Sequence, residues 1–150
     1  MKSKALQESE ATFHFHTELR VRLPETDAMG IVFHGNFFTY LEVGRVDYLR
    51  NLGLSEGIRP IRGFENVVVS AHVDFKSPAR FDDVLTVAVR MAPIVKGKRS
   101  FTFEFGITHK KTNRLVASGL TIHCAIDKNY RPICVPEEFR ATVAAFEGWA

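Results

Sequence analysis

The chain has 150 residues, 45% of them hydrophobic, and a formal net charge of +3. That is room for one domain around one core, with an ordinary globular apolar fraction. So small a charge argues against a nucleic-acid partner, which asks for a basic stripe, and no apolar run is long enough to span a bilayer. A mild positive balance is compatible with a small anionic ligand. Residues 1–11 are polar and mixed in charge, unlike a signal or transit peptide, and read as a flexible tail ahead of a single domain over 12–150. Cys124 and Cys134 match no metal or redox spacing, and such lone thiols suit a reducing cytoplasm.

Phe13, Phe15, Leu19, Val21 and Leu23 share one parity and predict a first strand over 13–23, ended by Pro24, which cannot donate to a ladder. A loop follows, with Gly30 and Gly35 as its flexible points. Phe37, Tyr40, Leu41, Gly44, Tyr48, Leu49 and Leu52 then fall near i, i+3, i+4 spacing, which predicts a long helix with one buried stripe. Asn36 is the expected N-cap and Gly53 the expected C′ residue. Gly44 in mid-helix costs about 1 kcal/mol against Ala, so another backbone is expected to pass close to it. Glu42 and Arg45 are spaced to form a salt bridge on the helix surface or at an interface.

Four strand signals follow, over 64–75, 84–95, 99–109 and 115–126. Phe101, Phe103, Phe105 and Ile107 alternate with polar residues and read as core. Lys96-Gly97-Lys98 and Lys110-Lys111-Thr112-Asn113 look like hairpin loops, so the strands are expected to be antiparallel. A short amphipathic helix over 136–146 starts at Pro136. One long helix and one antiparallel sheet make an α+β domain in which the helix covers a sheet face. Uncovered sheet edges favour an oligomer.

The chemistry-bearing residues gather just before the long helix. Asp27 and His34 lie on the loop upstream of a helix start, where unpaired N–H groups and a partial positive charge are available. A carboxylate, an imidazole and free N–H donors can activate water and hold an oxyanion. A loop Asp ordinarily caps a turn and a loop His is ordinarily a surface group, so the residues alone leave both readings open. Lys96, Lys98 and Arg99 around a turn, and Arg80 on another loop, are either solvated or contacts for an anionic ligand. His14 and His16 share a strand side, but no third ligand lies nearby and His72, His109 and His123 fall on other strands, so no metal is expected.

The run Thr26-Asp27-Ala28-Met29-Gly30-Ile31-Val32-Phe33-His34-Gly35-Asn36-Phe37, with Tyr40-Leu41-Glu42 and Arg45 after it, resembles the hot-dog-fold acyl-CoA thioesterases of the 4-hydroxybenzoyl-CoA thioesterase and YbgC-like type. The run from Val73 to Leu85 is similar to that family too. The resemblance implies a long central helix wrapped by a curved antiparallel sheet of about five strands. It implies hydrolysis of an acyl-CoA thioester without metal or bound cofactor, in a homodimer or homotetramer with sites at subunit interfaces. Asp27 takes the place of the family's nucleophile or general base. By the same resemblance, the His34 backbone N–H, at the helix start, is expected to polarise the carbonyl, and Gly35 and Asn36 to lie against the substrate. Arg80, Lys98 and Arg99 are the expected contacts for CoA phosphates. Leu23 departs from a tyrosine found there in some members, and Glu25-Thr26-Asp27 departs from an Asp-x-Asp pair. A carrier-protein thioesterase is the near alternative, and a non-catalytic acyl-CoA-binding or regulatory module the distant one.

Overall fold

The structure is a computed structural model that describes residues 13–57, 59 and 61–149; the tail read over 1–11 lies outside them. Five strands form one antiparallel sheet: β1 (Phe15–Arg20), β2 (Glu65–Phe75), β3 (Val84–Met91), β4 (Ser100–His109) and β5 (Leu115–Ile126). Two helices pack with it, α1 (Asn36–Asn51) and α2 (Glu137–Glu147). The strand order is β1-β3-β4-β5-β2, so β1 and β2 are the edges. The expected α+β architecture, a long helix against a five-stranded antiparallel sheet, is the one observed.

Strict alternation fixes which face of each strand meets α1. Leu85, Val87, Val89 and Met91 of β3 and Phe101, Phe103, Phe105 and Ile107 of β4 are all buried, and of their neighbours of opposite parity within the strands only Gly106, which has no side chain, is buried too. One face therefore faces the helix across the sheet. α1 buries Phe37, Tyr40, Leu41, Gly44, Tyr48 and Leu49 on it. The helix stops in a Schellman motif: Gly53 has φ +70, its N–H reaches Arg50 O at 3.0 Å, and Leu54 N–H reaches Leu49 O at 2.9 Å.

Three sequence expectations are corrected. The first strand is shorter than 13–23, because after Arg20 the chain leaves the ladder and Pro24 sits inside a 3-10 turn over Leu23–Glu25. The third strand ends at Met91, ahead of Pro93, which has no N–H for a ladder. At Gly44 the close neighbour is not backbone: a Cβ there would lie 2.7 Å from Val87 Cγ1 and 2.9 Å from Val89 Cγ2.

Three polar arrangements lie within this apolar frame. Arg45, 7% exposed, pairs with Glu42 at 2.6 and 3.0 Å, as the spacing predicts, and its buried Nη1 has no hydrogen-bond partner among the described residues. His123 is fully buried, its ring nitrogens 2.9 Å from Thr121 Oγ1 and 2.8 Å from Asn66 Oδ1. Burial, aided by the positive Arg45, pushes its imidazole down to about 4, so it is neutral at pH 7. Tyr48, also fully buried, donates to Glu147 Oε1 of α2 at 2.5 Å, and the same oxygen accepts Met91 N–H at 3.1 Å.

Candidate active site

The loop ahead of α1 is built in two small pieces. Glu25 closes the 3-10 turn, its Oε1 accepting Arg22 N–H at 2.8 Å. Thr26 and Val32 then pair as an isolated antiparallel bridge, and the chain reverses between them. Asp27 N–H reaches Ile31 O and Gly30 N–H reaches Asp27 O, both at 2.9 Å. Gly30 has φ +76, a conformation that a side chain rarely adopts. Val32 N–H bonds Ala79 O at 2.8 Å, which ties this hairpin to the segment between β2 and β3.

Asp27 sits at the turn, half-buried. Its Oδ1 accepts Met29 N–H at 2.8 Å, so the ordinary turn-capping role is present. Its Oδ2 has no hydrogen-bond partner among the described residues.

From Phe33 the chain curls into the helix. Asn36 N–H reaches Phe33 O at 2.9 Å and Phe37 N–H reaches His34 O at 3.2 Å. These bonds leave the N–H groups of His34 and Gly35 without an acceptor among the described residues. Gly35 is the N-cap position and Asn36 is the first helical residue, which corrects the expected cap. The Asn36 amide is engaged elsewhere: its Nδ2 donates to Glu25 O at 2.8 Å. A Cβ at Gly35 would lie 2.8 Å from the Phe33 ring, so that ring leaves little room for a side chain there.

An apolar cleft of about 350 Å³ lies beside His34. Val32, Phe37 and Ala79 are its buried lining, with Phe75 and Lys76 beside them. The Phe75 ring is edge-on to Phe37 at 5.4 Å and to His34 at 6.3 Å. The size and lining suit the apolar part of a small ligand. Arg80 stands next to the Asp27 turn: a Cβ on Gly30 would be 3.9 Å from its Nη1.

Asp27, His34, Gly35, Asn36 and Arg80 thus share one end of the sheet. Lys98 and Arg99 do not join them in a single chain. They precede β4, next to Val135, whose N–H bonds Lys98 O at 2.9 Å. The loop lies near the other end of that strand, about 30 Å away at ~3.3 Å per residue. Sequence reasoning missed Glu25, whose carboxylate and carbonyl both carry the loop, and the Tyr40 hydroxyl, which donates to Glu25 Oε1 at 3.0 Å. A tyrosine in an apolar stripe was the available signal, since a buried hydroxyl requires a partner. Among the described residues no cluster of His, Cys, Asp and Glu could hold a metal ion.

The comparisons with known proteins bear on the family and the fold. A model of the thioesterase-like superfamily matches residues 21–143. The chain belongs to that superfamily. A protein of Aquifex aeolicus named as an esterase is 35% identical over 119 residues, 79% of this chain and 89% of that one. The acyl-CoA thioesterase YbgC of Haemophilus influenzae is 27% identical over 128 residues, covering 85% and 92%. A thioesterase of Thermus thermophilus, solved with coenzyme A and zinc, superposes with a TM-score of 0.78 at 25% identity, covering 93% of this chain and 98% of that one. This thioesterase therefore has the hot-dog fold, and no helix among its described residues is long and apolar enough to cross a membrane.

Proposed function

We propose that this thioesterase hydrolyses acyl-CoA thioesters at the loop between β1 and α1. The reading is supported by a half-buried carboxylate, one of whose oxygens has no hydrogen-bond partner among the described residues, on the same loop as the two N–H groups of His34 and Gly35 that bond no acceptor there. The thioester carbonyl oxygen accepts from those amides, which hold the charge that develops on it. Asp27 Oδ2 takes the proton of an attacking water, or itself attacks the carbonyl carbon to form a mixed anhydride that water then hydrolyses to the free acid, restoring the carboxylate. The new C–O bond forms as the C–S bond breaks, and coenzyme A leaves as a thiolate that then takes up a proton. A thiolate leaves readily, so one carboxylate and one electrophilic site suffice. The acyl group lies in the cleft lined by Val32, Phe37 and Phe75.

Two copies complete the site. β2 is an edge of 11 residues with Val68, Val69 and Phe75 half or more exposed, a surface suited to pairing with a second copy. Such a dimer brings further basic residues toward each loop, with Arg80 in place and Lys98 and Arg99 as further contacts for the nucleotide. Cys124 and Cys134 are both free, which suits a cytoplasmic protein. A carrier-protein thioester is the second substrate class, supported by 27% identity to a chloroplastic acyl-acyl carrier protein thioesterase of Arabidopsis thaliana over 88% of this chain and 69% of that one.

Thiol release from a panel of aliphatic and aromatic acyl-CoAs tests the reading. Asp27→Asn removes most of the activity, while His34→Ala leaves a measurable rate, because the backbone amide at position 34 survives. Equal loss from both variants refutes that division. Binding without release by the wild type favours a non-catalytic module. Sedimentation shows whether the active species is a dimer or larger.

A further inference from the structure

The proposed reaction uses Asp27 and the amides at 34 and 35, but one neighbour holds them in register. We infer that Glu25 is a positioning residue, clamped by Tyr40, that sets the separation between the Asp27 carboxylate and the open amides. The inference rests on the thioesterase reading above.

Glu25 lies two positions before Asp27, and its side chain is only 11% exposed. Four donors converge on its carboxylate: Arg22 N–H at 2.8 Å, Arg22 Nε at 3.1 Å, Arg22 Nη2 at 3.0 Å and the Tyr40 hydroxyl at 3.0 Å. Its main-chain carbonyl accepts two more, Phe33 N–H at 2.9 Å and Asn36 Nδ2 at 2.8 Å. One residue therefore reaches back to the end of the first strand's exit, forward to both flanks of His34 and Gly35, and across to the second turn of α1.

The clamp is rooted in the core. Tyr40 is 2% exposed, its ring edge-on to Phe37 at 5.5 Å. The helix fixes Tyr40, Tyr40 fixes the Glu25 carboxylate, and the Glu25 carbonyl fixes the turn that presents the amides. Loops are normally the mobile part of a fold. A carboxylate and an oxyanion site act together only when held to within about 0.5 Å. The side chain and the main chain of Glu25 both serve that end, and it touches no reacting atom itself.

The test measures kcat, KM and melting temperature for Glu25→Ala, Glu25→Gln and Tyr40→Phe, with Tyr48→Phe as a stability control. Glu25→Ala is expected to lower kcat about 10- to 100-fold with KM within about twofold, as for an interaction felt mainly in the transition state. Tyr40→Phe lowers it about fivefold. Glu25→Gln, which keeps an acceptor for the Tyr40 hydroxyl and Arg22 N–H, recovers to within about threefold of wild type. A kcat loss no larger than that of the Tyr48→Phe control, or no recovery in Glu25→Gln, overturns the inference. Amide hydrogen exchange gives a readout independent of turnover: Glu25→Ala should speed exchange at Val32, Phe33 and Asn36 about tenfold or more without matching changes in β3 and β4. Unchanged exchange at those amides overturns the clamp. A wild type that releases no thiol from any substrate instead sinks the thioesterase reading, and the exchange result still decides the clamp.

Discussion

Tyr40 and Tyr48 stand two turns apart on one face of α1, both buried, and both donate their hydroxyls to a glutamate from a distant part of the chain. In each case burial, and then the bond to the carboxylate, push the phenol well above its ordinary range, so both are fixed donors. Tyr40 holds Glu25 in the loop that carries Asp27. Tyr48 holds Glu147 and so docks α2 against the end of β3. On the proposed reading, the same bond serves the reaction at one end of the helix and only the fold at the other. What decides its role is the segment it restrains.

The widest separation is expected from Asp27→Asn, which should cut kcat by about 100-fold or more, the ordinary worth of a general base, and leave the melting temperature near that of wild type. A large drop in stability from this change would make the turn a structural one and erase the contrast. Acid titration comes next. His123 neutral in the folded core and ordinary in the unfolded chain means that unfolded molecules take up the proton first as pH falls. Stability is then complete above about pH 6.5 and drains away toward pH 4, by about 3 kcal/mol in all. Denaturant midpoints across that window check this, and His123→Gln should flatten the slope. Glu25 acts lower on the scale. Burial works to raise it, but the Arg22 and Tyr40 hydrogen bonds outweigh burial and hold it below 4.5. Its contribution is present above that pH and is lost as pH falls through the lowered value, loosening the loop rather than the core.

Tyr48→Phe should cost about 1–2 kcal/mol, seen as a melting temperature lower by roughly 3–6 °C, with kcat unchanged. A fall in kcat at a temperature well below melting would show that the far end of α1 also reaches the reaction. The smallest effect is expected from Lys98→Ala with Arg99→Ala. These exposed cations should raise KM for acyl-CoA about three- to fivefold and leave KM for an acyl-pantetheine thioester, which lacks the nucleotide, as it was. Equal change for both substrates would remove the nucleotide from that surface.

Most of this architecture is legible in the residues. The 3.6-residue spacing of Phe37, Tyr40, Leu41, Gly44 and Tyr48 gives α1 and its buried face, and the alternation of Phe101, Phe103 and Phe105 gives the inner face of β4. Those patterns record burial, which is a property of one element against a layer. The Asp27 and His34 loop was legible only through its motif. What the residues did not show is pairing between distant polar groups. Tyr40 was read as apolar stripe, and nothing local joins it to Glu25, 15 positions earlier. Asn36 was read as a cap because cap chemistry is local, whereas its amide reaches back 11 positions to Glu25 O. The division of Arg80 from Lys98 and Arg99 depends on which end of the sheet each loop occupies, and that follows from strand register rather than composition.

Gly44 lies midway between the two tyrosines, one helical turn from each. Without a side chain it lets the helix axis settle into the notch between Val87 and Val89. Adding one methyl group there would lift the axis off the sheet at its midpoint, and the two hydroxyls would swing away from their glutamates together. Gly44→Ala, the substitution that helix propensity alone favours, should for that reason disturb turnover and α2 docking at once. The missing atom is the fulcrum on which both ends of the helix are balanced.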